Sequence, residues 1–132
     1  MILIVDDDKA VRTSLSMVLR KEGYETREAT GPAATLTVLR EAAAETELVL
    51  LDMNFSLDTS GEEGLQLLRR IRENWPDLPV ILITGWATVD LAVRGMKMGA
   101  RDFLNKPWDN DHLLRSIKTA LDLSAPPDET SP

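Results

Sequence analysis

Three short apolar runs punctuate the chain: Ile2-Leu3-Ile4-Val5, Leu48-Val49-Leu50-Leu51 and Val80-Ile81-Leu82-Ile83. None alternates with polar residues, so each suits a strand buried on both faces, as in a parallel sheet. Two weaker segments, Glu25 to Glu28 and Asp102 to Asn105, follow glycine turns at Gly23 and Gly99 and suit edge strands. Helical periodicity fills the gaps. Val11, Leu15, Val18 and Leu19 form one apolar stripe on a helix ending near Gly23. A second helix begins near Thr30-Gly31-Pro32, with the proline at a tolerated early position and Leu36 and Leu39 facing inward. Ser60-Gly61-Glu62-Glu63 has the spacing of a capping box and opens a third, running through Leu65, Leu68 and Ile71 to Trp75-Pro76. A fourth covers about Val89 to Met98, and the last starts around Asp109 and buries Leu113, Leu114, Ile117 and Leu121. Strands alternating with helices predict an α/β domain whose parallel sheet is covered on both faces through right-handed crossovers.

Composition narrows the functions open to such a domain. At 132 residues the chain predicts one domain, over 1–123, with the proline-containing stretch 124–132 a linker or disordered tail. The absence of cysteine removes thiolate metal sites and cysteine nucleophiles, and fits a cytoplasmic setting. His112 is the sole histidine, which excludes a multi-histidine metal site. A net charge of -7 is the wrong sign for direct binding of nucleic acid. The run Met1 to Val5 is too short for a membrane span or a signal peptide, so no membrane association is expected.

In open α/β sheets ligands bind beyond the carboxyl ends of the strands. Those places hold Asp6, Asp7 and Asp8 after the first strand, Asp52 after the third, Thr84 after the fourth, and Lys106-Pro107 after the fifth. Singly, each has an ordinary structural role: Asp8 or Asp7 caps the next helix, Thr84 satisfies backbone, Lys106 is solvated. Together they carry more. If the first and third strands are neighbours their carboxylates converge, and such a cluster does not stay ionised without a cation. Magnesium, which uses few carboxylates and leaves room for phosphate oxygens, suits this sparse set better than calcium.

In order and spacing, Asp6-Asp7, Asp52, Thr84 and Lys106-Pro107 resemble the receiver domains of two-component response regulators, a likeness reaching to about Leu123. The resemblance implies a flavodoxin-like, doubly wound (βα)5 domain with sheet order 2-1-3-4-5. It makes Asp52 the phosphoacceptor, taking a phosphoryl group from a phosphohistidine of a sensor histidine kinase to become an aspartyl phosphate. It implies magnesium, with manganese able to substitute, held by Asp7, Asp52 and the backbone carbonyl of Asn54, with Asp6 acting through a water. Lys106 then pairs with a phosphoryl oxygen, and Thr84 donates its hydroxyl and shifts toward the group. Phe103 matches the family's switch aromatic, although its position also suits an aromatic packed in place on an edge strand. Such a protein is a signalling phosphoacceptor, not an enzyme with a separate substrate: it catalyses only its own phosphorylation and dephosphorylation.

The sequence departs from that family in two places. Where a proline usually stands four residues after the acceptor there is Ser56, and the loop Asn54 to Gly61 is longer by about four residues, counted to Gly64-Leu65. Trp86 stands two residues past Thr84 where a small residue is usual; it either covers the phosphoryl group and slows hydrolysis or packs as a loop aromatic. The stretches Ile83 to Asp90, Ala92-Val93 and Met96 to Trp108 resemble receivers of NtrC-like AAA+ enhancer-binding transcription activators. That likeness implies a homodimer and DNA contact only through an output domain beyond this chain; a stand-alone interaction module is the alternative. A flavodoxin-like carrier is disfavoured because the aspartates after the first strand repel a flavin phosphate. An aspartate-nucleophile phosphatase is disfavoured because Asn54 stands where its second, acidic aspartate is needed.

Overall fold

The apolar runs become the interior of a single sheet. In a computed structural model that describes residues 1–53, 62–85 and 89–124, the chain alternates through β1 (Ile2–Val5), α1 (Lys9–Lys21), β2 (Thr26–Ala29), α2 (Pro32–Ala42), β3 (Leu48–Asp52), α3 (Glu62–Asn74), β4 (Val80–Thr84), α4 (Val89–Lys97), β5 (Asp102–Asn105) and α5 (Asn110–Ser124). All pairings are parallel, and the order is β2-β1-β3-β4-β5, the doubly wound arrangement expected. β1, β3 and β4 are buried at every position, whereas β2 and β5 at the edges are partly exposed.

Successive strand residues face opposite sides, so each apolar run supplies two cores at once. Ile2, Ile4, Leu48, Leu50, Ile81 and Ile83 pack with Leu15 and Leu19 of α1 and Leu113 and Ile117 of α5. Leu3, Val5, Val49, Leu51, Val80 and Leu82 face α2, α3 and α4 through Leu36, Leu39, Leu68, Ile71 and Leu91. This is why the runs do not alternate: either face, left polar, would lose a core.

Several boundaries move. β2 lies one residue later than Glu25 to Glu28 because Ala29, not Glu25, pairs in register, opposite Val5. α1 stops at Lys21, and Gly23 takes a left-handed φ of 92° while its N–H returns to the Arg20 carbonyl. Val11 and Val18 are half-buried at the margin of the α1–α5 core. A 3₁₀ turn at Ala43–Glu45 follows α2, where the sequence carried no distinct signal. Ser60 and Gly61 of the anticipated capping box lie outside the described residues. α5 runs through Ser124, and 125–132 lie outside the described residues. No described helix is long and apolar enough to cross a membrane.

Candidate functional site

The pairing of β1 with β3, Val5 opposite Leu51, brings Asp6 beside Asp52 at the carboxyl end of the sheet. Both residues are only 2% exposed. Burying a carboxylate is costly unless it is hydrogen-bonded and charge-paired, and the pairing comes from the far edge of the sheet. Lys106 follows β5 directly, and its N–H donates to the Thr84 carbonyl (2.8 Å). From there its Nζ donates to Asp6 Oδ2 (2.9 Å) and Asp52 Oδ1 (3.2 Å). Such a reach passes the end of β4, where Gly85 offers no side chain: a Cβ there would already touch the Lys106 stem at 3.9 Å. Burial alone lowers the Lys106 pKa, but the Asp6 hydrogen bond and the charges of Asp52 and Asp6 outweigh it and raise it above the ordinary lysine value.

Three consecutive aspartates serve three ends. Asp8 is the cap of α1, its side chain accepting from the Ala10 N–H (2.9 Å), which settles the choice between Asp7 and Asp8. Asp6 turns back under the same turn, its Oδ1 accepting from the Asp8 N–H (2.9 Å) while Oδ2 takes the lysine. Asp7 is exposed, yet one carboxylate oxygen from each of Asp6, Asp7 and Asp52 lies within 4.8 Å of the others. Three hard oxygen donors, one open to solvent, fit a magnesium ion that keeps several waters; nothing in this donor set suits a soft metal.

Thr84 ends β4 fully buried, beside Asn105 in register. Phe103 is half-buried and packs on the core beneath α2–α4, while Leu104 faces the α1–α5 side. The structure thus brings Asp6, Asp7, Asp52 and Lys106 together and puts Thr84 one strand end away. Asn54, Ser56, Trp86 and the long loop lie outside the described residues. Two contributors escaped the sequence reading. Arg12 donates from a terminal nitrogen to the Asp6 carbonyl (2.8 Å) and from Nε to Glu28 Oε1 (2.9 Å). Gly64 lets α3 approach the backbone of Met53, the residue after Asp52. Neither has a local signature, because each depends on which elements become neighbours.

Comparison with known proteins identifies the family and the fold. A family model described as the response regulator receiver domain matches residues 2–118. A putative NtrX-like response regulator of Rickettsia bellii is 35% identical over 123 residues, covering 93% of this chain and 25% of that protein. The nitrogen assimilation regulatory protein NtrX of Azorhizobium caulinodans is 36% identical over 121 residues, covering 92% and 26%. The chain therefore spans about a quarter of the length of these curated relatives. Among solved structures, the receiver domain of NtrX from Brucella abortus superposes with a TM-score of 0.84 at 34% identity, covering 92% of this chain and 98% of that one. The N-terminal signal receiver domain of a response regulator from Bacteroides fragilis gives 0.79 at 45% identity, covering 91% and 94%.

Proposed function

This chain belongs to the response regulator receiver domain family, and from that premise we propose that Asp52 accepts a phosphoryl group from a sensor histidine kinase and so switches an output. One observation supports this above the others: the acceptor carboxylate is buried at a strand end with the Lys106 ammonium held between it and Asp6. A carboxylate oxygen of Asp52 bonds to phosphorus as the phosphorus–nitrogen bond of the phosphohistidine breaks. The electron pair stays on the imidazole nitrogen, which takes up a proton. Lys106 is already within reach of Asp52, so it can transfer a hydrogen bond to an incoming phosphoryl oxygen. Asp6, Asp7 and Asp52, with the carbonyl of Asn54, would hold magnesium or manganese, and the bound cation would screen the acceptor's charge from the phosphoryl oxygens.

Thr84 supplies a hydroxyl to the phosphoryl group, and Phe103, packed one strand over, follows its movement. The relative NtrC of Azospirillum brasilense is a DNA-binding transcriptional regulator, and it is several times longer than this chain. By that likeness the output is transcription, exerted in the cytoplasm through a phosphorylation-dependent homodimer. DNA contact falls to a domain outside this acidic chain. Intact mass after incubation with acetyl phosphate tests the chemistry. The expected result is one added phosphoryl group that requires magnesium and is lost in Asp52→Asn. Labelling that persists in Asp52→Asn, or none in the parent with either acetyl phosphate or a phosphorylated sensor kinase, overturns it.

A further inference from the structure

We propose that Arg12 is a positioning residue for the acidic site, setting the aim of Asp7 by clamping the peptide that joins Asp6 to Asp7. The inference deepens the phosphoacceptor reading and rests on it. The guanidinium is planar and rigid, with donors on fixed vectors, and two of its nitrogens are engaged: one on the Asp6 carbonyl at 2.8 Å, the other on Glu28 Oε1 at 2.9 Å. The arginine side chain is 13% exposed, so the fork is held against the protein and not left swinging in solvent.

What the fork holds matters more than its strength. A carbonyl oxygen shares a rigid plane with the next residue's nitrogen and Cα, so fixing the Asp6 oxygen fixes the direction in which the chain leaves for Asp7. The Asp6 side chain is anchored separately by Lys106 and the Asp8 N–H. Asp7 is the exposed member of the carboxylate cluster, and the direction in which the peptide leaves Asp6 bears directly on where its carboxylate stands. The second arm ends on β2, where Glu28 pairs with Ile4, so the clamp refers the turn to the sheet edge. Partners of this kind, one step behind the ligands, typically alter metal affinity by about 10–100-fold when removed.

The sign of the effect makes the proposal testable. Arg12 is also a positive charge near three carboxylates. If charge were its whole contribution, neutralising it would tighten cation binding; if it positions Asp7, neutralising it weakens binding. Magnesium titration calorimetry on the cation-free chain, with thermal melts alongside, reads both. In Arg12→Gln the magnesium Kd is expected to rise on the order of tenfold. Arg12→Lys, which keeps the charge and one donor, recovers part of that loss, and Glu28→Gln gives a smaller rise in the same direction. Tighter binding in Arg12→Gln overturns the proposal, as does a lowered melting temperature with an unchanged Kd. Should Arg12→Gln fail to fold, parent-like Kd values in both Arg12→Lys and Glu28→Gln overturn it. A parent that binds no magnesium overturns this proposal and the acidic site's assigned role together, whereas a binding parent with an indifferent Arg12→Gln removes only the former.

Discussion

Replacing Gly64 by alanine sets two physical effects of opposite sign against each other. Alanine in a helix interior is favoured over glycine by about 1 kcal/mol, so propensity alone predicts a more stable protein. A Cβ at Gly64, however, would lie 2.7 Å from both the Cα and the carbonyl oxygen of Met53 and 3.0 Å from its carbonyl carbon. Non-bonded carbon contacts settle near ~3.5–4.0 Å, so the helix and the strand end must part by roughly 0.8 Å or more. Neither side yields readily: Met53 is fully buried, and its N–H is bonded to the Ile83 carbonyl at 2.9 Å. Leu65, Leu67, Leu68 and Ile71 lock α3 into the core. Overpacking of this kind costs about 1–3 kcal/mol, which, set against the propensity gain, leaves Gly64→Ala less stable by up to about 2 kcal/mol. Urea unfolding with linear extrapolation measures the difference. Because Met53 follows Asp52, acetyl phosphate labelling should slow as well. A variant as stable as the parent, or more so, would refute the claim that α3 seats directly on the Met53 backbone.

Two further outcomes follow from the charges. Tyr24 is the sole tyrosine, and burial, reinforced by Glu47, Glu22 and Asp122, raises its pKa above the ordinary 10.0. The folded state then holds the phenolic proton more tightly than the unfolded chain, so this contribution to stability is complete below the unfolded pKa and disappears as pH rises through the folded one. Ultraviolet titration should give a higher phenolate midpoint in native protein than in urea, and coincident midpoints would contradict it. Lys106→Met removes the ammonium from two carboxylates in residues that are each 2% exposed. A loss of about 2 kcal/mol is expected in chelator, discounted from the buried-pair range for partial solvent access, with magnesium restoring more stability than it adds to the parent. Equal stability of variant and parent in chelator would show that the lysine does not hold the site together.

Much of this protein is legible in one dimension because burial imposes a period on sequence. Ile2 to Val5, Leu48 to Leu51 and Val80 to Ile83 suit strands with a core on each side, and the stripe through Leu15 and Leu19 suits a helix facing one of those cores, as the structure places them. The placement of carboxylates, hydroxyl and lysine after successive strand ends follows equally directly, since parallel strands all finish at the same edge. Local pattern does not encode pairing across the fold. That Lys106 meets an aspartate 100 residues away, that Asp8 and not Asp7 caps α1, that β2 slides by one residue, and that Gly64 must be bare against Met53 all depend on which elements pack together. The same holds for Arg12 and Glu28, 16 positions apart and unremarkable until the sheet edge sets them face to face. Periodicity records what a segment buries, so the sequence by itself determined the elements and the chemistry at their ends. Distances between those ends are set only when the sheet closes its order, because hydrogen bonds and charges act over ångströms in space and not along the chain.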